Sequence, residues 1–155
     1  MYKKGLALIT LLLIFFSCNT EESWDFQTDY FSIGINNKGY ITSMKNVTVT
    51  PSREFSQADK PSPLLSLYES EKKVYYTPRS ASYNKANRQF TLEYPNGSVA
   101  GISLQPMGKY FEITLNNLEP RNGIDGIQWG SYYTNITNLL GEIIGVARDT
   151  SDVVN

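Results

Sequence analysis

Residues 89–115, QFTLEYPNGSVAGISLQPMGKYFEITL, decide the fold class. Phe90, Leu92 and Tyr94 fall on one side of an extended chain, and Gln89, Thr91 and Glu93 on the other. A two-residue period belongs to a strand with one wet face, not to a helix, whose apolar positions recur every three to four residues. Pro95-Asn96-Gly97 is a turn, because Asn and Gly tolerate positive φ. Ser98–Leu104 then returns as the paired strand. After Pro106-Met107-Gly108-Lys109 the alternation resumes in Tyr110–Leu115, which predicts Phe111, Ile113 and Leu115 facing inward. Three strands joined by short polar turns make an antiparallel sheet.

The same signals extend in both directions. Phe31–Ile35 and Tyr40–Met44 flank Asn36-Asn37-Lys38-Gly39 and predict a hairpin over residues 31–44. Residues 24–30 read as a polar lead-in, and residues 50–63, with three prolines, as loop. Strands are expected at Pro63–Tyr68, Val74–Tyr76 and Ser80–Tyr83, with a turn at Asn84–Asn87. Leu139–Val146 is apolar throughout much of its length, and Gly141 and Gly145 favour strand there. No stretch carries a helical stripe. Many short strands separated by turn residues predict an all-β fold, an antiparallel β-sandwich over residues 31–155. The last predicted strand has no successor before Asn155. Either that strand is an edge, which when apolar and unpaired invites aggregation, or the domain is incomplete at its C-terminus, as a fragment of a longer protein would be; the second is the expected reading.

The N-terminus carries a different signal. Lys3 and Lys4 precede an apolar run at residues 5–16 (GLALITLLLIFF), and Ser17-Cys18 ends it. The run is too short to span a ~30 Å hydrocarbon core, which needs roughly 20 residues, but it suits a secretory signal. A small residue directly before cysteine resembles the bacterial lipobox, in which the thiol is acylated and the leader is cut away. Phe15 and Phe16 stand where that motif usually has Leu and a smaller residue. The expected organisation is therefore a signal peptide at 1–17, a lipidated tether at 18–30 and the β domain beyond. Asn19-Thr20-Glu21-Glu22-Ser23 is similar to the acidic tag behind the acylated cysteine of Bacteroidota-type surface lipoproteins. This implies attachment to the outer membrane and display at the cell surface, with a periplasm-facing anchor as the alternative.

Composition narrows the chemistry. Cys18 is the only cysteine and there is no histidine. The first fact rules out an intramolecular disulfide. The second removes Ser-His-Asp and Cys-His catalysis and most zinc sites. Without residues 1–17 the 155-residue chain would keep 138, and loss of Lys3 and Lys4 would take its net charge from −1 to −3. No basic stripe remains to bind phosphates, so nucleic acid is not an expected partner. Gly34, Gly39, Gly97 and Gly130 are scattered and cradle no phosphate, and no spaced Asp run suggests calcium. No cofactor is expected. Eleven Tyr, seven Phe and two Trp suit strand packing and equally suit a surface that stacks on sugar rings.

Five stretches carry a family resemblance: GINNKGYITSM (34–44), SPLLSL (62–67), KYFEITL (109–115), IDGIQWG (124–130) and GEIIGVARD (141–149). In this order they resemble the N-terminal β-sandwich ahead of the catalytic region in some bacterial glycoside hydrolases and polysaccharide lyases, related to the galactose-mutarotase-like supersandwich. The resemblance implies a domain that packs on a catalytic partner and lines one wall of its cleft, with the catalytic carboxylates downstream. Independent enzymatic activity is then not expected of this chain.

Candidate site residues follow from chemistry. Glycoside hydrolysis needs two carboxylates about 5–9.5 Å apart, and Glu93 and Glu112, both on outward strand positions, are the pair to examine. Asp125 and Glu142 lie beside turn glycines. Trp129 with Tyr132 and Tyr133 is the densest aromatic cluster. It suits a sugar platform with Gln128, Asp125 and Asn135 as hydrogen-bonding neighbours, although Trp129 reads equally as core. The expected partners are a membrane through the lipid, an oligo- or polysaccharide, and a catalytic domain or partner protein. Three roles stay open: a non-catalytic carbohydrate-associated domain, a carboxylate-based glycosidase or its fragment, and a structural interaction domain.

Overall fold

The computed structural model describes residues 22–136. The leader, Cys18, the strand expected at Leu139–Val146 and Glu142 lie outside the described residues. Within them the chain is all-β: β1 (Ser23–Gln27), β2 (Phe31–Asn36), β3 (Tyr40–Asn46), β4 (Arg53–Glu54), β5 (Ser62–Pro63), β6 (Leu65–Glu69), β7 (Val74–Tyr76), β8 (Ser80–Asn84), β9 (Gln89–Glu93), β10 (Val99–Met107), β11 (Tyr110–Glu119) and β12 (Gly126–Trp129). They form three antiparallel sheets, ordered β1-β2-β3-β4 with β5 also on β3, β11-β10-β9-β8, and β12-β6-β7. The hairpin expected at 31–44 and the three-strand meander expected at 89–115 are both present.

Residues 24–30, expected as a polar lead-in, are a correction. Ser23–Gln27 is a strand in register with β2, Trp24 opposite Ile35 and Phe26 opposite Ile33. The physical reason is the same two-residue alternation, Trp24 and Phe26 inward and Ser23, Asp25 and Gln27 outward. Trp24 and Phe26 meet Phe90 at ring-centroid distances of 5.4 and 5.6 Å and Tyr83 at 6.1 and 5.2 Å. These rings join the first sheet to the second, as does Phe31 against Phe111 at 6.3 Å. Three sheets thus share one core, in which Ile35, Leu65, Leu67, Phe90, Leu92 and Ile102 are fully buried.

The third sheet is tied to the others through residues 62–69. Ser62–Pro63 pair with β3, and the chain then crosses so that Leu65–Glu69 pair with β12 and β7. The Tyr94 hydroxyl, fully buried, donates to the Leu65 carbonyl at 3.1 Å across this junction. A buried hydroxyl without such a partner would cost about 1–3 kcal/mol. Phe111, Ile113 and Leu115 do face the core as expected, but they are only half-buried on β11, which is an edge strand among the described residues.

Glu54 fastens the opposite end. Its carboxylate accepts from the Ser43 hydroxyl at 2.7 Å, the Met44 N–H at 2.8 Å and both the N–H and hydroxyl of Ser56. Burial pushes its pKa up, but these donors together outweigh burial and hold it at about 2. Four donors to one charged carboxylate make the strong kind of hydrogen bond. They pin the short β4 strand and the residues after it, where Ser56 bridges to Thr134.

Candidate functional site

The expected catalytic pair does not assemble. Glu93 is opposite Val99 and Glu112 opposite Gln105, both on β10, which lies between their strands. Val99 and Gln105 are six residues apart, or about 20 Å at ~3.4 Å per residue. Glycosidase carboxylates stand no more than ~9.5 Å apart. Glu93 instead accepts from the Ser80 hydroxyl at 2.8 Å and lies 3.6 Å from Arg79. Among the described residues no three His, Cys, Asp or Glu side chains gather as a metal would require.

The aromatic and polar candidates from 125 to 135 are adjacent in sequence but divided in space. Trp129 and Ile127 stand opposite Leu65 and Leu67 and share their core-facing side of the sheet. Gln128 alternates to the other face, opposite Ser66, and donates to the Ser131 hydroxyl at 3.1 Å. Asp125 accepts from the N–H of Ser70 at 3.2 Å and from its hydroxyl, so it holds the β6–β7 turn. Tyr132 lies against Gly130, where a Cβ would come within 2.6 Å of its ring, and burial pushes its phenol pKa up. The Tyr133 ring is exposed, while its N–H donates to Ser62 at 3.1 Å. Asn135 is committed to Glu54 and Phe55 through its side chain and N–H.

What does form is a cleft at the β11–β12 edge of the molecule, about 370 Å³ in volume. Its aliphatic lining includes Leu115, Leu118, Ile124 and Ile127, and Asn116, Asn117 and Arg121 add polar groups. Along β12 the apolar side continues from Ile127 to Trp129, which follows two residues on at about 6.8 Å. Although these two side chains point to the core side, they are 43% and 37% exposed. Among the described residues strand β12 borders only β6 and strand β11 only β10, so within that part of the chain each presents an edge at the cleft.

The loop carrying Arg121 is held from three directions. Ser98 donates its hydroxyl to the Pro120 carbonyl at 2.7 Å, Asn122 its amide to the Asn96 carbonyl at 2.8 Å, and Asp125 its N–H to the Tyr68 carbonyl at 3.1 Å. Beneath the loop lies Glu69, 5% exposed, which pairs with Lys72 at 2.9 Å and accepts from the Tyr76 hydroxyl at 2.8 Å. Those contacts, Lys72 first, hold its carboxyl below the usual range. A second exposed aromatic group stands on the far side of the sheet. Tyr68 and Tyr75 lie opposite each other, ring centroids 4.5 Å apart.

Of the polar cleft residues the sequence marked Asp125 but not Arg121, Asn116 or Asn117. Arg121 sits in Pro120-Arg121-Asn122-Gly123, a composition that reads as a solvated turn. Asn116 and Asn117 adjoin the register shift of β10 against β11, which pairs Gly101 with Asn117 but Ile102 with Leu115. A bulge leaves no reliable trace in periodicity. Comparison with family models, curated proteins and solved structures finds no match to this chain.

Proposed function

We propose that this chain is a non-catalytic β-sandwich domain that binds carbohydrate at the β11–β12 cleft, lipid-anchored through Cys18 to the outer membrane of a bacterium and displayed at its surface. The observation that carries the binding role is the uncovered Ile127–Trp129 strip beside a mixed apolar and amide cleft. Carbohydrate sites combine a flat apolar surface for the C–H face of a sugar ring with a few polar groups for its hydroxyls, and small-molecule sites are typically concave and about 300–1,000 Å³. Lack of histidine and the separation of Glu93 from Glu112 support binding without turnover. The anchor rests on the Lys3-Lys4 start, the apolar run at 5–16 and Ser17-Cys18, and surface display on Glu21-Glu22.

Calorimetric titration of a panel of neutral and acidic oligosaccharides tests the binding role. The expected result is a ligand whose affinity falls at least tenfold, about 1.4 kcal/mol, in Trp129→Ala and is unchanged in Tyr75→Ala, on the opposite face. Equal losses would move the site, and silence across the panel would sink the reading. The anchor has its own check. Cys18→Ser should abolish incorporation of labelled palmitate and shift the chain from the detergent phase to the aqueous phase.

The same uncovered strip favours a second reading, a docking face for a catalytic domain. In that case the panel would be silent, and Trp129→Ala would weaken association with that domain instead.

A further inference from the structure

We infer that the β11–β12 cleft selects an anionic sugar, one bearing a carboxylate or a sulfate ester, and that Arg121 is the residue that selects it. This rests on the carbohydrate reading above and names the class of ligand for that same cleft.

Two charged residues line the cleft, and they are not equivalent. The Asp125 carboxylate is already engaged by the Ser70 N–H and hydroxyl. Arg121 carries no ion pair or side-chain hydrogen bond among the described residues. No described residue therefore occupies its five donors. A guanidinium presents them as a planar fork that matches a carboxylate or sulfate with two parallel hydrogen bonds. The aliphatic lining is poor company for a free ion but suitable for an ion carried on a sugar ring, whose C–H face needs an apolar surface.

The amides fit the rest of such a ligand. Asn116 and Asn117 are consecutive and both exposed, because the bulge breaks the alternation that would have turned one of them inward. Asn116 donates its amide to the Ser103 hydroxyl at 2.6 Å, which leaves its carbonyl oxygen to accept from a sugar hydroxyl. Pre-positioning is also present. Arg121 stands on a loop whose Pro120 and Asn122 are both bonded to the β9–β10 turn, and whose Ile124 N–H closes back on the Arg121 carbonyl at 2.8 Å. A donor group on a fixed backbone loses less freedom on binding. General polyanion attraction is weak in a chain of net charge −1, so selectivity must come from this local group.

The test uses the full chain in detergent and matched oligosaccharides that share one backbone: a neutral form, a uronate form and a sulfated form. Titration of the wild type should find at least one anionic form bound roughly 10–100-fold more tightly than the neutral one, the span expected for hydrogen bonds to a charged group. Arg121→Met should erase that preference, so that neutral and anionic forms bind alike, without lowering thermal stability. Lys85→Met, the same charge change on the distant β8–β9 turn, should keep it. The uronate and sulfate arms tell the two anions apart. Neutral and anionic forms bound alike, or a preference that survives Arg121→Met, would overturn the inference and leave the carbohydrate reading intact. Absence of binding to every form would remove both.

Discussion

Trp24→Ala should destabilise the domain by about 3–5 kcal/mol, the cost of deleting a large buried aromatic. Trp24 is only 8% exposed and packs edge-on against Phe90 at 5.4 Å, in a cluster that also holds Phe26 and Tyr83. Such ring pairs add about 0.5–1.5 kcal/mol each beyond area burial. Relaxation opposes this, because among the described residues β1 is an edge strand bonded only to β2 and can shift to fill part of the void. For domains that are typically stable by about 5–15 kcal/mol, the loss leaves little margin. Urea unfolding checks it, with Trp24→Phe as the companion variant expected to lose less than half as much. A cost below about 1 kcal/mol would mean that residues 23–27 only lie on the domain, as a tether would.

That variant also marks where the sequence was legible. The meander at 89–115 could be read because its turns are local and its alternation runs unbroken. Strand β1 has the same alternation, but it is five residues long and follows a polar acidic stretch, so the tether signal masked it. The pairing of β6 with β12 joins residues more than fifty apart, and neither strand shows which neighbour it takes. Glu93 and Glu112 are a different matter. Their separation follows from the two hairpins themselves, since a meander always places its middle strand between the outer two. In the candidate site, alternation along β12 puts Gln128 and Trp129 on opposite faces, a consequence of the strand period that sequence adjacency concealed. Arg121 carried no signal, because an arginine in a turn becomes distinctive only when two sheet edges open a cleft beside it.

The cleft and the fold meet at the loop of residues 119–126. Asp125 fixes the β6–β7 turn and Asn122 the β9–β10 turn, so the loop is braced by two sheets while the Arg121 side chain bonds to none of the described residues. The bracing stabilises the loop whether or not a ligand arrives, and that separates its structural role from the role assigned to Arg121.

Gly39→Ala should cost about 2–4 kcal/mol, a large effect for one methyl group in a turn. Two terms add. Gly39 has φ +81°, a left-handed conformation that costs an L-residue roughly 1–2 kcal/mol, partly offset by the ~0.4–1 kcal/mol gained when Ala stiffens the unfolded chain. The new Cβ would also lie 3.0 Å from Leu92 Cδ2 and 3.0 Å from Pro78 Cγ, and overpacking of this kind costs typically 1–3 kcal/mol. Pro78 has a rigid ring and Leu92 is fully buried, so neither yields easily. The turn has little freedom to back away either. The Gly39 carbonyl accepts from Leu64 at 2.9 Å and the Asn37 carbonyl from Ala81 at 2.6 Å, which ties this one turn to the chain entering the third sheet and to the second sheet. Gly97→Ala separates the two terms. Its φ is +83°, nearly the same, but the nearest atom to an added Cβ is Asn122 Nδ2 at 3.7 Å, ordinary contact. That variant should lose only about 1 kcal/mol, the backbone term less the unfolded-state gain. Denaturant midpoints for the two variants measure the difference directly. Equal losses would show that Pro78 and Leu92 give way, and that the turn is not wedged between the sheets.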